Sequence, residues 1–240
     1  MGCLYLVSTP IGNLADITQR AINTLSMVDY IVCEDTRRSG MLINKLNDNL
    51  QQQQKIKPQF ISFYEEVEAT RSVEILKLLN TGANIALISD AGTPLISDPG
   101  YKLISLCQKN NIKVVPIPGV SAVLAALVSS GLTANNFWFL GFLPSKSAKN
   151  ASMLTNIKKS LTHISEWSAC PTIVFFESPF RLKTTLQNIL TIFGNTDLTI
   201  ARELTKIHEE ILTKKVLDWI SFYNDIKPRG EYTLLMNIRP

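Results

Sequence analysis

The side chains in this sequence that could do chemistry stand where short apolar runs end. Ile85-Ala86-Leu87-Ile88 gives way to Ser89-Asp90-Ala91-Gly92-Thr93-Pro94, where small residues, one carboxylate, a glycine and a proline replace the apolar side chains. Residues 34–38 (Glu-Asp-Thr-Arg-Arg) follow Tyr30-Ile31-Val32-Cys33 in the same way, residues 8–13 follow Leu4-Tyr5-Leu6-Val7, and residues 118–122 follow Val114-Val115-Pro116-Ile117. The second half adds Glu177-Ser178-Pro179 and Arg202-Glu203-Leu204-Thr205-Lys206. Glycine lets a ligand approach the backbone, and an aspartate accepts hydrogen bonds from ribose or amino groups. Backbone amides dominate these loops and acid–base groups are few. That suits a nucleotide-like cofactor held by main-chain contacts in a cleft between domains.

Other chemistries lack their residues. There is no Gly-x4-Gly-Lys-[Ser/Thr], no Gly-x-Gly-x-x-Gly after the first strand and no Gly-x-Ser-x-Gly elbow. The two histidines, His163 and His208, stand in no metal-like or triad-like arrangement and read as surface residues; no metal site is expected. Cys3, Cys33, Cys107 and Cys170 include no Cys-x-x-Cys pair, so neither zinc nor a disulfide framework is suggested, and a reduced, cytoplasmic setting follows.

The elements that must position the loops are legible from apolar spacing. Strands at 3–8, 30–33, 60–63, 85–88 and 114–117 alternate with helices across the first 118 residues. The first helix, with Asp16 and Gln19 as its capping pair, turns Ile17, Ala21, Leu25 and Val28 inward. The second carries Met41, Leu42, Ile43 and Leu46; the third turns Val73, Leu76 and Leu79 inward and stops at Gly82. Strand–helix alternation predicts a parallel sheet with helices on both faces, and ligands in such sheets sit beyond the carboxyl ends of the strands. The Gln-rich stretch 47–58 reads as a surface loop. In the second half, strands are expected at 137–142, 172–177, 198–203, 209–213 and 231–238, and helices at 147–165, 179–193 and 215–223. Pro179 marks the first turn of the middle helix. The strands near 200 and 210 are joined too closely for a crossover, so antiparallel pairing enters there. The chain therefore reads as two α/β domains, an N-terminal parallel sheet over 1–118 with the cofactor loops and a C-terminal mixed sheet over 119–240.

With 240 residues, 45% hydrophobic and only 8% aromatic, the composition is that of a soluble globular protein. No apolar run approaches the roughly 20 residues of a membrane span, and no signal pattern precedes the first strand, so no membrane partner is expected. The formal charge of +4 permits nucleic-acid binding without requiring it.

The loop motifs, taken together, carry a resemblance. Ser-Thr-Pro-Ile-Gly-Asn-Leu at 8–14, Glu-Asp-Thr-Arg at 34–37, Ser-Asp-Ala-Gly-Thr-Pro at 89–94, Asp-Pro-Gly-Tyr at 98–101, Gly-Phe-Leu-Pro at 141–144, Glu-Ser-Pro at 177–179 and Ala-Arg-Glu-Leu-Thr-Lys at 201–206 run in order along nearly the whole chain. In this the sequence resembles the small-subunit ribosomal RNA 2′-O-methyltransferase I family of the tetrapyrrole-methylase superfamily, the third structural class of S-adenosylmethionine (SAM) methyltransferases. The resemblance implies a homodimer that binds SAM between its domains and methylates a ribose 2′-hydroxyl on a cytidine in the decoding region of 16S rRNA, within the small ribosomal subunit. It further implies cofactor contacts from Pro10, Ile11, Asp90, Gly92, Thr93, Ile96, Ser121, Ala122, Phe176 and Leu204, and from Tyr232 or Thr233 on the last strand. The chain departs from the family pattern at two places. Tyr64-Glu65-Glu66-Val67-Glu68 stands where members often read His-x-His-Asn-Glu, and Phe180 stands where they often have a histidine before Arg181.

A 2′-hydroxyl needs a proton acceptor as it attacks. Glu34, Asp35 and Glu203, each at a strand end, are the candidates, with Arg37 and Lys206 to fix phosphates or the hydroxyl. Asp35 could instead cap the following helix, and Glu203 could pair with a neighbouring arginine. Two other readings remain open at this point: a superfamily enzyme acting on a tetrapyrrole-like small molecule, and a non-catalytic RNA- or ribosome-binding module.

Overall fold

The computed structural model describes residues 1–48, 57–165 and 170–238. Most of the Gln-rich stretch expected as a surface loop lies outside them. The chain divides into two compact units, Met1–Ser121 and Ala122–Pro240.

The first unit is built on β1 (Cys3–Val7), β2 (Tyr30–Cys33), β3 (Gln59–Ser62), β4 (Ile85–Ile88) and β5 (Lys113–Ile117). They form one sheet in the order β3-β2-β4-β1-β5 with every pairing parallel. Both faces are covered, which is why the inner strands β1, β2 and β4 are apolar throughout rather than alternating. On one face Val7, Ile31, Cys33, Ala86 and Ile88 pack with Ala21, Leu25, Ile43 and Leu46 of α1 (Gln19–Met27) and α2 (Thr36–Asp48). On the other, Leu4, Val32, Ile85 and Leu87 pack with Ile75, Leu79, Leu103 and Cys107 of α3 (Glu68–Asn80) and α4 (Tyr101–Lys109). Full burial of each such leucine or isoleucine contributes about 1.5–3 kcal/mol. With its faces sealed, the sheet offers ligands only its carboxyl edge.

Two local expectations change. The cap of α1 is Thr18, whose hydroxyl accepts the Ala21 N–H at 3.1 Å, while Asp16 closes a separate 3-10 turn, Leu14–Asp16. In α3 the inward stripe is Glu68, Ser72, Ile75 and Leu79, and Val73 is exposed. The apolar spacing misleads there because two of the four inward positions are polar, for a reason given below. Gly82 does follow the α3 C-terminus at φ 104° and donates its N–H to Leu79 O at 3.1 Å.

The second unit begins with α5 (Ala122–Ser129) and carries β6 (Phe137–Phe142), α6 (Ser147–Ser165), β7 (Thr172–Glu177), α7 (Leu182–Phe193), β8 (Asp197–Arg202), β9 (Glu210–Lys215), α8 (Val216–Asp225) and β10 (Tyr232–Met236). The sheet order is β6-β7-β10-β8-β9; β6 and β7 are parallel and the other pairings antiparallel, so the sheet is mixed. Ile173, Phe175, Leu198, Ile200, Tyr232, Leu234 and Met236 face α6, α7 and α8 in one core. The alternate residues point the other way, where α5 lies against β7 and β10. The pairing of β6 with β7 slips between Phe139 and Phe142, where Gly141 sits at φ 64°. That is a glycine-borne bulge, and it turns Phe142 outward to half exposure. Helix α7 starts at Leu182, later than the proline suggested. Pro179 lies in a turn closed by the Arg181 and Leu182 amides on Ser178 O, both at 3.0 Å.

Candidate functional site

The loops at the carboxyl edge of the parallel sheet are stitched to one another. The Thr9 and Gly92 main chains exchange hydrogen bonds of 2.9 and 3.1 Å, an antiparallel bridge between the loops after β1 and β4. Thr9 Oγ1 donates to Ser89 O at 3.1 Å, and Thr93 Oγ1 donates to Val120 O at 2.9 Å while lying 3.1 Å from Ser8 Oγ. Gly92 has φ 86°, and a Cβ placed on it would stand 3.3 Å from Ile11 Cγ2. The bridge therefore requires glycine both for its conformation and for the approach of Ile11. Of the residues expected at a cofactor, Pro10, Ile11, Gly92 and Thr93 are brought together by this stitching. Ser121 follows the tethered Val120, Ile96 stands exposed further along the β4 loop, and Ala122 opens α5 in the second unit.

Asp90 is held from the neighbouring loop. Its carboxylate accepts the Asp35 N–H at 3.3 Å and Arg38 Nη1 at 3.2 Å. Asp35 in turn accepts the Arg37 amide at 2.9 Å and the Arg37 guanidinium at 3.2 and 3.1 Å, capping the first turn of α2. Those hydrogen bonds from Arg37, side chain then backbone, hold the Asp35 carboxyl below its ordinary range. Glu34 is different. The residue is exposed, yet desolvation at the groove and then the negative charges of Asp90 and Asp98 push its carboxyl upward, with Arg38 opposing. Glu34 lines an open groove of about 380 Å³ together with Glu65, Glu68, Asp98, Gly100 and Tyr101. Asp98, bonded to the Ser89 hydroxyl, is also pushed up, by burial first and then by Asp90.

The groove wall depends on Glu68, which the sequence reading passes over. Its carboxylate is buried, accepts the Gly100 N–H at 2.9 Å and the Lys102 N–H at 3.1 Å, and pairs with Lys102 Nζ at 3.3 Å. Helix α4 has no capping side chain of its own at Gly100, so Glu68 of α3 caps it from across the fold. This explains a polar residue at an inward α3 position, with Ser72 Oγ bonded to Glu68 O beside it. A signal existed. Of residues 64–68, Glu68 is the one that matches a named residue of the His-x-His-Asn-Glu pattern in the resemblance. Burial alone would raise the Glu68 carboxyl; the Lys102 and Gly100 amides and the Lys102 ammonium outweigh it and leave it below its ordinary value. Its stabilisation is therefore complete above the unfolded-state glutamate pKa and disappears as pH falls through the lower folded-state value. Glu68→Ala is expected to cost about 2–3 kcal/mol in urea unfolding at pH 7, from charge-assisted hydrogen bonds lost, and the gap to wild type should narrow below about pH 4.

In the second unit, Glu203 and Lys206 are occupied by structure. Glu203 sits at φ 51°, and its Oε1 accepts both Lys206 Nζ and the Glu231 N–H at 2.9 Å. Lys206 Nζ also reaches Glu231 Oε2 at 2.7 Å. Burial would raise the Glu203 carboxyl, but Lys206 and the Glu231 amide bring it below its ordinary value, and the two carboxylates likewise hold the Lys206 ammonium up. The trio straps the β8–β9 turn to the residues before β10. Leu204 is buried beside the strap. Phe176 lies on the α5 face of the sheet, edge-on to Phe139 at 5.0 Å and 5.4 Å from Phe142. Tyr232 points to the opposite face; it is buried against Tyr223, and its hydroxyl accepts the Arg229 N–H at 3.1 Å. Its neighbour Thr233 pairs directly with Phe176 across the ladder. Both histidines are on the surface, and no cluster of ligating residues suited to a metal occurs among the described residues.

The family model of Tetrapyrrole (Corrin/Porphyrin) Methylases matches residues 3–218. The chain belongs to this family. Within it, the chain is 44% identical over 237 residues to a protein of Thermotoga maritima named ribosomal RNA small subunit methyltransferase I, with 99% of each chain covered. The protein of the same name from Synechocystis sp. is also 44% identical, over 98% of this chain and 79% of that one. Among solved structures, a uroporphyrin-III C-methyltransferase from Thermus thermophilus in complex with S-adenosyl homocysteine shares the fold at a TM-score of 0.62 and 14% identity, covering 98% of this chain and 97% of that one. Sequence thus groups this tetrapyrrole-methylase chain with proteins named ribosomal RNA small subunit methyltransferase I, while the uroporphyrin-III C-methyltransferase shares its fold alone.

Proposed function

We propose that this tetrapyrrole-family protein is a SAM-dependent methyltransferase that modifies a ribose 2′-hydroxyl of a cytidine in the decoding region of 16S rRNA. The observation that carries the reading is 44% identity along 99% of both chains to a small-subunit rRNA methyltransferase I. The stitched loops fit a nucleoside cofactor. They keep the Gly92 backbone bare beside Ile11, where a Cβ would crowd the approach, and they present Pro10, Ile11 and Thr93 along one edge. We assign cofactor contacts to these residues and Asp90, to Ile96, Ser121 and Ala122, and in the second unit to Phe176 and Leu204, with Thr233 in preference to Tyr232 because Thr233 shares the face of Phe176. SAM, when bound, supplies a methyl group activated by a sulfonium. The protein's own work is to hold the ribose oxygen in line and take its proton.

Glu34 is the acceptor this geometry favours, because Asp35 and Glu203 are committed to Arg37 and to Lys206 with Glu231. Arg37, largely exposed at the start of α2, is placed to meet RNA phosphate. Lys206 acts as a strap instead. The working form is a homodimer in the cytoplasm. The reduced setting is supported by four cysteines that are all buried and free, and no described helix is long and apolar enough to cross a membrane.

Incubating the protein and tritiated SAM with small ribosomal subunits from a strain lacking the gene tests the reading. Label resistant to alkali, on the 2′-oxygen of one decoding-region cytidine, is the expected result. Bound SAM with no label on any ribosomal RNA would overturn it and direct the search to ring substrates.

A further inference from the structure

One ion pair in the first unit joins the loop that carries the proposed proton acceptor to the loop that carries the proposed cofactor contacts. Arg38 projects from the first turn of α2, four residues after Glu34, and its Nη1 lies 3.2 Å from Asp90 Oδ2. The other Asp90 oxygen accepts the Asp35 N–H at 3.3 Å. The two contacts close a small ring: Asp90 at the end of β4, the Asp35 backbone at the end of β2, and the first turn of α2. Strands β2 and β4 are neighbours in the sheet, so the ring crosses a single strand gap. Arg38 is otherwise mostly exposed, with a side chain at 68% accessibility, and Asp90 is at 21%. An exposed pair of this kind adds little stability, which leaves positioning as its use.

We propose that Arg38 is a positioning residue: by gripping Asp90 it fixes the β2 loop against the β4 loop and sets the electrostatic surroundings in which Glu34 faces the groove. This rests on the reading of Glu34 as the proton acceptor. The charged groups around Glu34 are Asp90 and Asp98 from the β4 loop, Asp35 and Arg38 from its own loop and α2, and Glu65 and Glu68 across the groove, the last paired with Lys102 of α4. Among the described residues, the charges that act most directly on the Glu34 carboxyl are those of Asp90, Asp98 and Asp35, which raise it, and of Arg38, which opposes them. Its charge therefore works on the acceptor both through the loop it anchors and through space. Removing it should make Glu34 harder to ionise, whereas removing the charge of Asp90 should do the reverse.

The test is a carbon-detected NMR titration of the Glu34 carboxyl in the wild type and in Arg38→Ala, Arg38→Lys and Asp90→Asn, with the methylation assay run alongside across pH. In Arg38→Ala the Glu34 midpoint should rise by about half a unit or more, in Asp90→Asn it should fall, and Arg38→Lys should stay near wild type. The low-pH limb of kcat should move upward with the midpoint in Arg38→Ala and return in Arg38→Lys. A purely structural pair would not shift the two charge variants in opposite directions. Unmoved midpoints, or shifts of the same sign in Arg38→Ala and Asp90→Asn, would overturn the inference. A wild type that transfers no methyl group would instead refute the proposed function, and the titration would still decide the role of Arg38.

Discussion

Replacing Glu34 with glutamine should lower kcat for methyl transfer by about 10²–10⁴-fold, the range in which a positioned general base acts. Its amide is close in shape and cannot take the ribose proton. SAM affinity, measured by calorimetry, should stay within about threefold of wild type, because Glu34 lies on the groove side of the β2 loop and is not among the proposed cofactor contacts, which come from the loops after β1, β4 and β5, from Ala122, and from Phe176, Leu204 and Thr233 in the second unit. Asp35→Asn and Glu203→Gln should behave otherwise. Asp35 caps α2 and is bound to Arg37, and Glu203 is strapped to Lys206 and Glu231, so both should lose stability or RNA affinity with less than about tenfold change in kcat. In the wild type, kcat should rise with pH through the Glu34 pKa, since the base works ionised, and that limb should lie above the value of a free glutamate because desolvation, Asp90 and Asp98 push it upward. A Glu34→Gln enzyme with near-normal kcat, or a larger loss in either of the other variants, would move the assignment of the base.

The largest loss of stability is expected at Glu177. The residue is 2% exposed; Oε1 accepts the Ser178 N–H at 2.7 Å and Arg181 Nη2 at 2.9 Å, and Oε2 accepts the Thr185 hydroxyl at 2.5 Å. Thr185 receives Asn150 Nδ2 at 3.2 Å, Asn188 reaches Asn150 Oδ1 at 3.0 Å, and Arg181 Nη1 donates to Leu143 O at 2.9 Å. One carboxylate thus ties β7, the start of α7, α6 and the end of β6. Removing one partner of such a buried pair typically costs about 3–5 kcal/mol because the other is left uncompensated. Glu177→Ala should show that loss in the urea midpoint of the second unit. Glu177→Ala combined with Arg181→Ala should cost clearly less than the sum of the single variants. Additive losses would mean that the pair is not coupled.

Much of this architecture is written in local apolar spacing. Runs such as Ile85-Ala86-Leu87-Ile88 state a doubly covered strand, and the close spacing of the strands at 200 and 210 states an antiparallel pair. Spacing fails where a polar group does structural work inside. Glu68 and Ser72 occupy the inner face of α3 because α4 needs a cap there, and a count of apolar residues puts Val73 inside instead. The site was legible as loops and residue types, since motifs name the positions. Which carboxylates are committed to structural partners was not legible. Glu34, Asp35 and Glu203 are equivalent at a strand end until their partners are known, and the partners of Glu203 lie up to 28 residues away. Tyr232 and Thr233 differ only by the pleat: one faces the core and the other pairs with Phe176.

The place of β10 bears on how the chain is made. It lies between β7 and β8 at the middle of its sheet, although it is the last strand of the described chain. During synthesis, the first sheet has all its strands once Ile117 is free to fold. β7 and β8, by contrast, wait with a vacant slot between them until residues 232–236 emerge. Two unpaired edges flanking one gap are an invitation to foreign strands. The second half should therefore be the aggregation-prone part of a nascent or prematurely terminated chain, and the first half a folded solubilising partner already in place.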